Sequence, residues 1–128
     1  MTSAALAIDL PQLEAAARAH GLRLVPLTIQ IGALSIDPVE RTVTRGGKRI
    51  ALMPREFALL LHLARAGRCV GRAELLSAIW GYDFDPGTNV VEVHVSRLRA
   101  RLDRGFPAPM LRTERGRGYR LIASARCR

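Results

Sequence analysis

Acidic side chains are scarce in this chain: 11 Asp and Glu stand against 20 Lys and Arg, for a formal net charge of +9. Such a balance favours a polyanionic partner over a cationic one. Aromatics make up 5% of the residues, too few to build stacking platforms for single-stranded nucleic acid. Cys69 and Cys127 are the two cysteines, and they lie far apart in sequence. His20, His62 and His94 add no ligand spacing, so neither a disulfide framework nor a metal site is expected. No apolar run approaches the ~20 residues that cross a bilayer. The first residues lack a charged segment followed by an apolar stretch, so a cytoplasmic protein without membrane contact is expected. Paired carboxylates and Ser–His–Asp candidates are missing as well, and Glu56, Glu74 and Glu92 fit the exposed sides of helices. Catalysis and a bound cofactor are therefore not expected.

What the chain does have is a lopsided charge distribution. From Ser96 onward there are ten arginines and two acids, Asp103 and Glu114. Residues 1–95 hold ten basic and nine acidic side chains, so nearly all of the surplus lies in the last quarter. Nineteen of the basic residues are arginine, with Lys48 the exception. A GC-rich genome would explain the preference but not the clustering. Arginine is also the better reader of phosphate and guanine, because its planar fork bonds bidentately.

A length of 128 residues suits one domain with a modest core. Pro11–His20 has a leucine and alanine face and a following Gly21, which predicts a short helix in an N-terminal extension over residues 1–24. Residues 25–123 then form the domain proper, and 124–128 a basic tail. Short alternating runs at Leu27–Ile31, Ala33–Ile36, Thr42–Arg45 and Arg49–Leu52 predict a four-stranded antiparallel sheet, with a hairpin at Gly46-Gly47. Pro54–Ala66 has Phe57, Leu60, Leu61 and Ala64 at helical spacing and ends at Gly67. Arg72–Trp80 predicts a second helix, and Gly81–Thr88 a loop. In a third helix, Asn89–Asp103, the residues Val91, Val95, Leu98 and Leu102 make the buried seam. Its other face carries Asn89, Val93, Ser96 and Ala100, with Arg97 on one flank and Glu92, Arg99 and Asp103 on the other. Leu111–Thr113 and Tyr119–Ile122 form a hairpin around Gly116 and Gly118. The sum is an α+β winged helix-turn-helix: an N-terminal four-stranded antiparallel sheet, three helices and a C-terminal β-hairpin wing.

Four ordered blocks carry a family resemblance: LMPREFALL at 52–60, RAELLSAIWG at 72–81, TNVVEVHVSRLRARLD at 88–103 and RTERGRGYRL at 112–121. Residues about 27–122 resemble the OmpR/PhoB-type winged-helix effector domain of bacterial two-component response regulators. The resemblance implies a transcriptional regulator that binds double-stranded DNA. On it, Val90, Val93 and Arg97 match base-facing positions, and Asn89, His94, Ser96 and Arg99 match positions that touch phosphates. Arg115 matches the wing arginine of the minor groove, and Arg101, Thr113 and Arg117 complete the DNA-binding set. The Gly81–Thr88 loop matches a segment that in the family touches RNA polymerase. Separately, the leucine and alanine face of the N-terminal helix is a candidate surface for homodimer contacts.

Three departures qualify the resemblance. Met53 replaces a capping Thr, Ser96 replaces a frequent Arg, and Glu114 replaces an apolar residue beside the wing arginine. The residues ahead of the sheet are also too few for a phosphoacceptor receiver domain. Phosphorylation-driven dimerisation is therefore not carried over. These departures motivate a second reading, a stand-alone winged-helix interaction module acting on RNA polymerase or a partner regulator.

Overall fold

The computed structural model describes residues 28–123, together with Ala19. The helix expected over Pro11–His20, its dimer contacts, the basic tail and Cys127 lie outside the described residues. Four short strands open the domain: β1 (Ile29–Ile31), β2 (Leu34–Asp37), β3 (Thr42–Arg45) and β4 (Lys48–Ile50). They form one antiparallel sheet in the order β1-β2-β3-β4, so β4 is an edge strand. Arg45 pairs with Lys48 across a two-residue turn. Both turn residues, Gly46 and Gly47, have positive φ (60° and 82°), the conformation a tight hairpin of this hand requires. At the other turn Asp37 Oδ1 accepts from the backbone N–H of Val39 and Glu40, each at 3.0 Å. Alternation then puts Leu34, Ile36, Val43 and Ile50 on the core face.

Helix α1 (Pro54–Ala66) starts at a proline and ends at Gly67, whose φ of 63° lets its N–H reach the Leu63 carbonyl. Phe57, Leu59, Leu60 and Leu63 are buried. Met53 supplies no oxygen at the N-cap, yet the cap is not wholly lost: Glu56 Oε1 accepts from the Met53 N–H at 2.9 Å. Helix α2 (Arg72–Leu75) passes directly into a π-helical turn, Leu76–Trp80, closed by Gly81 with φ 74°. Leu75 and Leu76 are fully buried there. Helix α3 (Val90–Asp103) buries Val91, Val95, Leu98 and Leu102, the expected seam, and packs across α1.

The wing is β5 (Leu111–Glu114) paired with β6 (Gly118–Leu121). Val70, between α1 and α2, adds a bridge to it: Val70 and Tyr119 exchange both backbone hydrogen bonds, at 2.8 and 2.9 Å. Gly118 makes that approach possible, since a Cβ there would lie 2.0 Å from the Val70 carbonyl oxygen. At the opposite end of the chain Gly32 touches the backbone of Ala123, with 2.4 Å between a built Cβ and the Ala123 oxygen. The first hairpin and the end of the wing thus close on one another.

Two charged positions depart from the sequence-based expectation. Glu56 belongs not to an exposed helix side but to the interior, at 2% exposure. Its carboxylate is satisfied by the Met53 N–H and by Arg101 Nε at 2.9 Å, which makes the burial tolerable. Asp103 likewise turns inward rather than flanking the outer face of α3. Its Oδ1 takes Arg45 Nη1 at 2.7 Å and the Met110 N–H at 2.9 Å. Arg45 shares the core face with Val43, is 6% exposed, donates to the carbonyls of Leu102 and Ala108, and stacks on Phe106 at 4.3 Å. This knot joins β3, the end of α3 and the start of β5. It fixes where the wing departs from the helix.

Candidate nucleic-acid interface

The seam of α3 decides what its other side shows. Because Val91, Val95, Leu98 and Leu102 face α1 and the core, Asn89, Ser96, Arg97 and Ala100 are left exposed. Val93 is half-buried beside them. Val90 is also half-buried and packs against the core cluster, so little of it faces outward. The outward ridge is therefore short-chained, with Arg97 as its long side chain. Such a ridge can enter a groove about 12 Å wide without steric conflict.

The N-terminus of α3 is held by Arg72. Its Nε lies 2.8 Å from Glu92 Oε2, its Nη1 lies 2.6 Å from Asp85 Oδ2, and Nη2 donates to the Thr88 carbonyl. The two carboxylates, Asp85 foremost, hold the Arg72 guanidinium more firmly protonated than usual. Arg72 in turn keeps Asp85 below the ordinary carboxylate range. One side chain thus ties α2, the 81–88 loop and α3 together. Asn89 occupies the N-cap position, but its side chain makes no cap bond and stays exposed. His94 Nδ1 donates to the Val90 carbonyl at 2.8 Å, and its ring meets Trp80 edge-on at 5.0 Å. The imidazole is thereby oriented, leaving Nε2 as its outer nitrogen.

The five arginines of the expected set, and Thr113, divide into two kinds. Arg99 Nη2 donates to Thr113 Oγ1 at 2.6 Å and its Nε to the Leu111 carbonyl at 3.3 Å, so both residues are spent on coupling α3 to β5. Arg101 is paired with Glu56. Arg117 lies 3.6 Å from Glu114, which also stands 3.3 Å from Arg120. Arg97 and Arg115, by contrast, are exposed and have no acidic partner among the described residues. Arg115 occupies the turn of the wing, before Gly116 with φ 73°. Glu114 thus offsets two wing arginines and leaves Arg115 unopposed.

Three contributors were not visible in the sequence reading: Arg72, Arg45 and the Val70 bridge. For Arg45 the signal was there, since it has the same strand parity as Val43 in a run of four residues. Arg72 and Val70 depend on partners brought together by the fold. Trp80 and Tyr119 are partly buried and pack against the core. Among the described residues no group of three or more His, Cys, Asp and Glu could hold a metal ion.

Comparison with known proteins places this geometry. The family model for "Transcriptional regulatory protein, C terminal" matches residues 47–121. Transcriptional regulatory protein HprR of Escherichia coli K12 is 43% identical over 97 residues, which are 75% of this chain and 44% of HprR. The chain thus spans less than half the length of that relative. Among solved structures, the Klebsiella pneumoniae RstA DNA-binding domain in complex with the RstA box superposes with a TM-score of 0.69 at 36% identity, covering 76% of this chain and 98% of that one. The DNA-binding domain of E. coli CpxR gives a TM-score of 0.66 at 33% identity, covering 77% and 98%. This chain belongs to the transcriptional regulatory protein C-terminal family, the OmpR/PhoB-type winged-helix DNA-binding domains.

Proposed function

We propose that this protein regulates transcription by binding a specific double-stranded DNA sequence, with α3 in the major groove and the wing in the adjacent minor groove. The observation that carries this reading is the pair of unopposed arginines. Arg97 stands on the short-chained ridge of α3 and Arg115 in the wing turn, both without an acidic partner among the described residues, while Arg99, Arg101 and Arg117 engage internal partners. Arg97 is assigned to a base edge, with Val93 beside it. Asn89, Ser96 and the His94 Nε2 are assigned to phosphates. Arg115 is assigned to the minor groove, where a narrow A·T-rich stretch would attract it. Arg99, Arg101 and Thr113 position these groups rather than touch DNA. RstA, whose structure was determined with its DNA box, supports the assignment by likeness of fold and sequence.

The unit that binds is residues 25–123, with 1–24 as an extension. It acts by binding and not by catalysis, in the cytoplasm where the chromosome is reached. No helix among the described residues is long and apolar enough to cross a membrane. A second role is favoured by the 81–88 loop, where Tyr82 and Phe84 are 37% and 61% exposed and lie 5.5 Å apart. Such an aromatic pair suits contact with RNA polymerase once DNA has placed it. The test is fluorescence anisotropy on duplex DNA across a salt series. Six or so neutralised phosphates give a log–log slope near −5. Salt-insensitive binding, or none, would refute the reading.

A further inference from the structure

On the edge of α3 away from the wing lies a groove of about 580 Å³ between that helix and strand β4. At 100° per residue Arg97, Arg101 and Arg104 fall within about 60° of one another, while Arg99, which faces the wing, is about 160° from Arg97. The opposite wall is β4, the sheet edge, with Lys48 and Arg49 both exposed. Five cations therefore line one open groove. Glu56, at 2% exposure, takes up Arg101 from below. Lys48, Arg49, Arg97 and Arg104 have no acidic partner among the described residues. None of these four side chains makes a hydrogen bond or ion pair among the described residues. Asp103, next to Arg104 in sequence, is committed to Arg45.

The spacing of these charges selects the ligand. A compact anion is held by donors that converge on one point, whereas these are strung out. Arg97 to Asp103, the last residue of α3, already spans about 9 Å along the helix at 1.5 Å per residue, and Arg104 follows at its extended C-cap. That length matches about three phosphates of one DNA strand, at about 3.4 Å each along the duplex axis. The row also begins at Arg97, the residue assigned above to a base edge. We propose that Lys48, Arg49 and Arg104 form a second phosphate track, which grips the backbone of the same duplex beyond the base pairs read by α3. The proposal rests on the duplex-DNA reading and extends its footprint to one side. Strand β4 becomes part of the DNA surface, and Arg97 marks the junction of base reading and backbone grip.

The test uses the full chain and a Lys48→Ala, Arg49→Ala, Arg104→Ala triple variant, with Arg97 left intact. All three side chains are exposed, so the melting temperature should be unchanged. Affinity is measured across a salt series on a duplex just long enough for α3 and the wing, and on duplexes extended by about ten base pairs at either end. The wild type should gain about three units of salt slope on one of the two extended duplexes, one unit per contact. The triple variant should lose that gain while matching the wild type on the short duplex. Equal slopes for the wild type on all duplexes would overturn the proposal. So would a triple variant indistinguishable from the wild type on the extended one, or weakened equally on every length. A wild type that binds no duplex at all would instead refute the underlying DNA reading, and the track with it.

Discussion

Replacing Gly118 by alanine should damage the protein far more than replacing Gly116, two positions away in the same hairpin. Both glycines have positive φ, 145° and 73°. An alanine at Gly116 meets nothing within 4 Å, so it suffers only the backbone strain, about 1–2 kcal/mol. At Gly118 a Cβ would lie 2.0 Å from the Val70 oxygen and 2.6 Å from its carbonyl carbon. Real side chains do not approach backbone closer than 3.0 Å, so one strand must retreat by about an ångström. That retreat breaks the two Val70–Tyr119 hydrogen bonds of 2.8 and 2.9 Å. With about 1 kcal/mol for each bond and about 2 kcal/mol of strain, the cost is about 4 kcal/mol. For a domain of this size that lowers the melting temperature by about 15–30 °C, against about 4–15 °C for Gly116→Ala. Scanning calorimetry on both variants reads the difference directly. If the two melt together, the Val70 bridge does not anchor the wing and the reasoning fails.

The knot beneath the wing gives a second prediction. Asp103→Ala leaves the Arg45 guanidinium buried without its carboxylate and should cost about 3–5 kcal/mol by chemical denaturation, whereas the exposed Arg104→Ala should stay within about 0.5 kcal/mol. On the DNA surface, Arg97→Ala should cost about 1–3 kcal/mol on the preferred site and relax its sequence. Arg99→Ala should weaken binding to preferred and random duplexes alike, because it frees the wing from α3 without removing a base contact; competition binding on the two duplexes separates the variants. Glu74 yields a pH dependence. Arg68 foremost and His62 next hold its carboxyl below the ordinary value. Its contribution is thus fully present above the usual carboxylate pKa of ~4.3 and disappears as pH falls through the lower folded value. Glu74→Gln should lower the melting temperature at neutral pH, and the gap should close as pH falls through the lowered folded value; equal melting at neutral pH would contradict this.

How much of this was legible in the sequence differs between backbone and charges. The seam of α3, the bounds of α1 and the Gly46-Gly47 hairpin followed from local periodicity and turn chemistry, which act within a few residues. Glu56 and Asp103 did not, and for Arg45 only the strand parity with Val43 pointed inward. A charged residue reads as exposed until its partner is known, and Arg45 meets Asp103 across 58 positions of chain. The π-helical turn at Leu76–Trp80 has no local signal either, since its residues suit an ordinary helix as well. The candidate site shows the same division. Family likeness placed Arg97, Arg99, Arg101, Arg115 and Arg117 together in the DNA-binding set, but the fold engages Arg99 and Arg101 internally and leaves Arg97 and Arg115 open. Arg117 sits between the two, drawn toward Glu114.

On the proposed function, α3 and the wing turn read different parts of one duplex through Arg97 and Arg115. Selection of bound sequences from a random DNA pool, run in parallel for the wild type, Arg97→Ala and Arg115→Ala, tests it most directly. The wild type should recover a motif, Arg97→Ala should lose preference at one or two central positions, and Arg115→Ala should lose a flanking A·T preference. No enrichment by the wild type, or the same motif from all three proteins, would contradict it.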